Sequence, residues 1–372
     1  MGKERPAGLN NSLHGLRFVA AFMVMLHHLI YPGDLHVKTW AGALGAGGYL
    51  GVTVFFVLSG FVISYKYWDD FERPTPSAYW HFMVRRFARI YPLYFVLLMI
   101  LFYNLGVPHN LLMLLTMTQA LSPPHYGDGI GQAWTLTVEL MFYLVAPAII
   151  FVGHWRKALW AAFIAAAMVA IYLQIRVRHI PDGHFVVFNT IAGHMVEFML
   201  GVVAAQTAIV RRPAAITLKK LIGADIAIGC AFVGLCGLIG WYDVRATGVP
   251  SGDSVVGWAL RDLFAVFCAF VVYRLMERSG PLYSFLGSRV MTAWGKYSYA
   301  IYLVHAGIIW SLVSGANFWL RVGLVMLIAQ FFYLYVEEPC RRAVTSTLDA
   351  IGSMIGLVPS AREAVDPIAE VP

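Results

Sequence analysis

Charge is scarce in this chain: Asp, Glu, Lys and Arg make up 13% of its 372 residues, against about 25% in an average soluble domain. That scarcity, beside 59% hydrophobic residues, excludes the two or three soluble domains that length alone suggests and reads as a polytopic membrane protein. Cysteine is also sparse. The four present, Cys230, Cys236, Cys268 and Cys340, show no pairing or metal-ligand spacing, so they indicate neither a disulfide framework nor a redox compartment. Tandem repeats and low-complexity tracts are missing. The first apolar run has no small-residue cleavage site after it and is followed by many similar runs, which argues against a secretory signal peptide.

What is present is hydrophobic length. Ten apolar segments fall at roughly 13–31, 46–66, 87–105, 133–153, 157–175, 187–209, 221–242, 256–276, 295–314 and 317–337. A shorter run at 111–121 is too short to span a bilayer and reads as re-entrant or interfacial. With both termini in the cytoplasm, ten spans place all but six of the 27 Lys and Arg on one side. The exceptions are Lys38, Arg176, Arg178, Arg245, Arg261 and Arg321. Such asymmetry supports the count, and assigns the net charge of +7 to loops on one membrane face rather than to nucleic-acid binding. The expected organisation is a membrane-embedded domain over 1–342 and a cytoplasmic tail over 343–372, with no soluble domain appended.

Within the apolar runs stand polar residues whose cost at membrane depth marks function. Arg17 opens the first run and His27 and His28 close it; the step from Arg17 to His28 is ~16 Å along a helix. Ser59, Gly60 and Ser64 interrupt the aromatic second run, either as back-bonding serines and a helix-contact glycine or as lining of a site. Gly47 and Gly51 make a close-contact step. Arg86 and Arg89 share a helix face near Pro92, and read either as positive-inside anchors or as paired forks for phosphate. Glu139 lies inside the fourth run after Trp134, Thr135 and Thr137, as a salt-bridge member or as the partner of an imidazole. His194 and Glu197 stand three apart, weak evidence for a metal without further ligands. Tyr299, Tyr302 and His305 recur at steps of three in the ninth run. They suit an interhelical hydrogen-bond stripe or a substrate lining equally. By composition alone, buried His, Glu and Arg in a ten-span protein fit a proton-coupled transporter.

The order of these motifs resembles the integral-membrane acyltransferase family 3. Arg17 and His28 match its R/K-x10-H; Phe55 to Ser64 match FF-x-LSGF-x-x-S; Arg86 to Pro92 match R-x-x-R-I-Y-P. Trp134, Thr135, Leu136, Glu139, Phe142 and Tyr143 follow its fourth-span pattern, Ser298 to His305 its SY-x-x-YL-x-H, and Glu337 with Pro339 its closing E-x-P. His14 and Thr53 depart from it, His14 standing where the family often carries aspartate and Thr53 where it carries an acidic or small polar residue.

The resemblance implies an O-acyltransferase acting on a sugar of a polysaccharide, lipopolysaccharide or other cell-surface or secreted glycan, in a bacterial cytoplasmic membrane. It implies cytosolic acyl-CoA, most often acetyl-CoA, as co-substrate, with no bound cofactor and no metal. An extracytoplasmic relay by an SGNH-type domain would need another protein. On this reading Arg17, Arg86 and Arg89 bind donor phosphates. His28 is the general base, Glu139 orients its imidazole, and Arg17 shares the catalytic role. His27, Ser59, Ser64, Trp134, Tyr302 and His305 line the substrate path. A covalent acyl-imidazole on His28 is the competing mechanism.

Overall fold

The computed structural model describes residues 10–30, 39–177, 190–210, 218–247, 255–307 and 317–357. Among them all regular structure is helical, and eight helical stretches are long and apolar enough to cross a bilayer. The chain is an all-α polytopic membrane protein. In order the helices are α1 (Asn11–Ile30), α2 (Trp40–Ala46), α3 (Gly51–Tyr67), α4 (Pro76–Leu105), α5 (Leu111–Leu115), α6 (Trp134–Gly153), α7 (Arg156–Tyr172) and α8 (Ile191–Val210). There follow α9 (Leu218–Thr247), α10 (Val255–Leu275), α11 (Pro281–Leu286), α12 (Arg289–Lys296), α13 (Ser298–Val304), α14 (Phe318–Phe332) and α15 (Glu338–Met354).

Two of the ten expected segments are not among the eight. The run at 157–175 folds as the 17-residue α7 and then widens into a π-helical turn at Leu173–Val177. The run at 295–314 is broken between α12 and α13, and its residues 308–316 lie outside the described ones. Lys3, Arg5, Lys38, Arg178, Arg211, Arg212 and Arg362 also lie outside them. The last helix runs across position 342, the expected end of the membrane domain, as far as Met354.

Local chemistry sets the helix ends. Thr75 accepts from Ala78 N at 3.1 Å with Pro76 in the first helical position, and Gly106, at φ 84°, ends α4. The segment at 111–121 makes only the five-residue α5 and a 3-10 turn. Its carbonyls are capped by side chains: Tyr94 donates to Leu114 O at 2.7 Å, Tyr91 to Leu115 O at 3.0 Å and Thr137 to Met117 O at 2.7 Å. Irregular backbone among apolar helices needs such partners, because no lipid supplies them.

The helix α3 is the central element, the Trp40–Tyr67 stretch that contains it being 78% buried against 11% for Phe318–Met354. Small residues let backbones meet it. A Cβ on Gly60 would stand 2.1 Å from Phe198 O, and one on Gly201 2.1 Å from Val57 O, so α3 and α8 cross in main-chain contact. The expected Gly47–Gly51 step straddles the 3-10 turn between α2 and α3, seating Gly47 on Cys236 and Gly51 on Ala20. Gly60→Ala is therefore expected to destabilise the folded protein by about 1–3 kcal/mol, the usual cost of overpacking. Thermal unfolding in detergent measures it; an unchanged melting point would show that the crossing yields.

Candidate active site

Arg17 and His28 stand eleven residues apart on α1, which at 3.6 residues per turn is about three turns, so both face the same side ~16 Å apart. Around Arg17 stand residues of α3, α4, α6 and α13. Between these helices runs an inner cavity with only about 60 Å3 of space that water centres can reach, room for a few waters. Arg17, Arg86, Arg89, Glu139 and Ser59 line it toward one end, and Phe55, Thr135 and Tyr302 are also in its wall. Arg17, Arg86, Arg89 and Tyr299 also line a second cavity of about 420 Å3. These four residues form a neck between the two. Lys66, Arg85, Lys296 and Arg341 add positive charge to this vestibule, against the carboxylates of Glu337 and Glu338. Glu338 pairs with Arg341 and Arg342 at 2.7 Å each.

At the neck the two arginines of α4 differ. Arg86 is buried, donating to Tyr67 OH at 3.2 Å, with its guanidinium 5.3, 5.8 and 5.7 Å from the ring centroids of Tyr67, Phe82 and Tyr143. Three aromatic faces stabilise a cation that has left water. Arg89, one helical turn on, is half-buried and has no ion-pair partner among the described residues. Glu139 accepts a short hydrogen bond from Tyr143. Its carboxylate thus faces the arginines through the tyrosine that packs on Arg86.

Beyond Tyr302 stand the histidines. Tyr302 lies edge-on to Phe55 at 5.8 Å between centroids and 5.6 Å from His305. Its hydroxyl receives the Thr135 hydroxyl at 2.8 Å and donates to Gln132 O at 3.2 Å. His305 is fully buried, its Nδ1 2.7 Å from Tyr302 O and its Nε2 3.3 Å from His28 Nδ1. His28 Nδ1 is also 2.9 Å from Val24 O. Carbonyl oxygens only accept, so each neutral ring carries its hydrogen on Nδ1. The His28 N–H is shared between Val24 O and His305 Nε2. That leaves His28 Nε2 as the basic nitrogen, on a side chain that is exposed. A neutral imidazole held in this tautomer offers the Nε2 lone pair to a hydroxyl proton.

The remaining expected site residues divide. Glu139 does not orient His28: the imidazole's hydrogen bonds among the described residues go to Val24 and His305, while Glu139 sits at the arginine end. Ser59 lines the inner cavity, but Ser64 is fully buried outside it, because five residues turn a helix by about 140° from the starting face. His27, one residue from His28, points elsewhere, its Nδ1 3.0 Å from Gly45 O and its ring 6.0 Å from Tyr49. Trp134 packs on His194 at 5.8 Å rather than lining the cavity. Its neighbours Thr135 and Leu136 line it instead.

His194 and Glu197 belong to a buried charge network. Glu197, 0% exposed, lies 2.7 Å from His194 Nδ1, 3.1 Å from Arg261 Nε and 3.0 Å from the donating Thr53 hydroxyl. Arg261 also donates to Gly193 O at 3.1 Å. Arg261, counted above among the cations of the other membrane side, pairs inside the bundle because Glu197 is there. His194 stacks at 4.7 Å on Phe56, a lining residue. The network thereby ties α3, α8 and α10 together behind the cavity wall.

A family model described as an acyltransferase domain matches residues 10–336. Acyltransferase MdmB of Streptomyces mycarofaciens is 27% identical, the alignment covering 89% of this chain and 91% of that protein. Nodulation protein 10 of Rhizobium leguminosarum bv. viciae is 29% identical over 54% of this chain and 61% of its own length. O-acetyltransferase OatA of Staphylococcus aureus is 24% identical over 89% of this chain, which spans 57% of OatA. No solved structure matches.

Proposed function

The chain belongs to the acyltransferase family, and from that premise we propose that this membrane O-acyltransferase moves an acyl group, acetyl in the first instance, from cytosolic acyl-CoA to a sugar hydroxyl of a cell-surface or secreted glycan. The observation that carries this reading is the arrangement along one helix face. A cationic vestibule narrows at Arg17, Arg86 and Arg89 into a cavity whose wall includes Tyr302, and the His28–His305 pair stands behind that tyrosine. Such a layout suits a donor with phosphates at one end and a thioester at the tip of a thin arm. The basic residues that converge on the vestibule are those assigned to the cytoplasmic face, which supports cytosolic entry in a bacterial cytoplasmic membrane.

In the reaction the acceptor hydroxyl gives its proton to His28 Nε2 as its oxygen bonds the thioester carbonyl carbon. The carbon–sulfur bond then breaks, and the thiolate recovers the proton from the imidazolium, leaving an ester and a free thiol. His305 holds the ring of His28 in the tautomer that makes Nε2 basic. Labelled donor without acceptor separates this route from the acyl-imidazole: general-base action leaves His28 unlabelled, and acyl label on His28 would replace it.

Two experiments test the donor and acceptor. Arg89→Ala in lipid nanodiscs is expected to weaken coenzyme A binding about tenfold, the worth of one charge-assisted hydrogen bond; unchanged affinity would reduce Arg89 to a topology signal. Mass spectrometry of envelope and secreted glycans, with and without the gene, is expected to show loss of one acyl mass from a sugar. Unaltered glycans would remove that acceptor class.

A further inference from the structure

The vestibule contains a residue that a phosphate clamp alone does not need. Glu337 is 7% exposed and lines the vestibule, and its Oε2 is buried without a hydrogen-bond partner among the described residues. A carboxyl group is no ligand for phosphate, and burying one with an oxygen unmet is costly. Its surroundings suggest what it meets. Tyr333 lines the same cavity and packs tilted against Tyr297 at 4.8 Å between ring centroids, and Tyr333–Glu337 is a π-helical turn between α14 and α15. Single π turns of this kind recur at functional sites. Tyr333 and Glu337 thus set an aromatic face and a hydrogen-bond acceptor side by side.

The cations are also in excess of one phosphate group. Three arginines stand at the neck, where a diphosphate joined to an arm in the inner cavity would lie. Lys66, Arg85 and Lys296 line the vestibule alone and have no ion-pair partner among the described residues, whereas Arg341 is already matched by Glu338. A second phosphate farther from the thioester accounts for them.

We propose that the vestibule reads the whole nucleotide end of the donor, Glu337 accepting a hydrogen bond from the exocyclic amine of adenine and Lys66, Arg85 and Lys296 holding the phosphate on its ribose. This rests on the acyl-CoA reading above. It adds a base-specific contact, so the enzyme selects an adenine nucleotide rather than any phosphorylated thioester.

The test is competition against labelled coenzyme A on the full chain in nanodiscs, using coenzyme A, its 1,N6-etheno derivative, in which the amine is tied into a ring, and 3′-dephospho-coenzyme A. Against the wild-type protein each analogue is expected to bind about tenfold more weakly than coenzyme A, the size of one hydrogen bond to a charged group. Glu337→Ala is expected to lose that factor for coenzyme A and nothing further for the etheno analogue. Lys296→Ala is expected to erase part of the penalty on the dephospho analogue. Equal binding of the etheno analogue and coenzyme A by the wild-type protein overturns the proposal with no variant required. Full discrimination retained by Glu337→Ala overturns it as well. Absence of any coenzyme A binding to the wild-type protein is the separate result that removes the donor reading.

Discussion

Replacing His28 by alanine is expected to abolish acyl transfer, by about 100- to 10,000-fold in turnover if the imidazole handles only a proton, while the protein stays folded in membranes. His28 is exposed and its ring packs chiefly on His27 and His305, so its removal opens no apolar void. His27→Ala serves as the control. It removes a buried hydrogen bond to Gly45 and is expected to lower stability more than turnover. His305→Ala gives a third, intermediate result. Val24 O still holds the His28 N–H, so turnover falls less than for His28→Ala and its pH profile moves, since the group facing Nδ1 has changed. Turnover unaffected by His28→Ala and lost with His27→Ala would mean that the other imidazole carries the chemistry.

Arg261→Ala is expected to destabilise the protein by about 3–5 kcal/mol, the cost of leaving a buried charge without its partner. Glu197 is fully enclosed, and after this substitution His194 and the Thr53 hydroxyl remain as its partners among the described residues. Chemical unfolding in detergent reads the loss. Replacing Arg261 and Glu197 together by methionine and leucine is expected to recover most of it, because a well-packed apolar pair has no desolvation to overcome. Thr53→Val costs less, about 1 kcal/mol, one neutral donor's share. An Arg261→Ala protein as stable as the wild type would show that water or lipid reaches Glu197.

Much of the site was legible in the sequence because its parts are local. Arg17 and His28 lie on one helix, Arg86 and Arg89 on one turn, and the basic residues sort by segment end. The family match turns the enzyme reading into a finding and sets aside the transporter that composition alone favoured. Pairings between helices were not legible. His28 and His305 are 277 positions apart and Thr53 and Glu197 144. Hydropathy cannot say which buried polar groups meet when every helix is apolar on most faces. Glu139 was matched to His28 because a carboxyl inside an apolar helix calls for a partner such as an imidazole or a cation; in the fold it accepts from Tyr143, which packs on Arg86, and so stands with the arginines. Arg261 was counted to the other membrane side because charge counting sends each cation to the nearest membrane face, unless a partner inside the bundle is known. Thr53 was read as a departure from the family pattern, and in the fold its hydroxyl donates to the buried carboxylate.

The edge-on contact between Phe55 and Tyr302 has a consequence for the cell as well as for the reaction. A membrane under 100 mV stores about 2.3 kcal/mol in every unit charge that crosses it. A chain of waters from the basic vestibule to the exposed His28 would let protons run down that voltage, with the imidazole as a relay. The Phe55 and Tyr302 rings stand across that path. On the proposed donor reading, an arriving acyl arm has to part them and fills the gap it opens, which keeps such a water chain from forming during turnover.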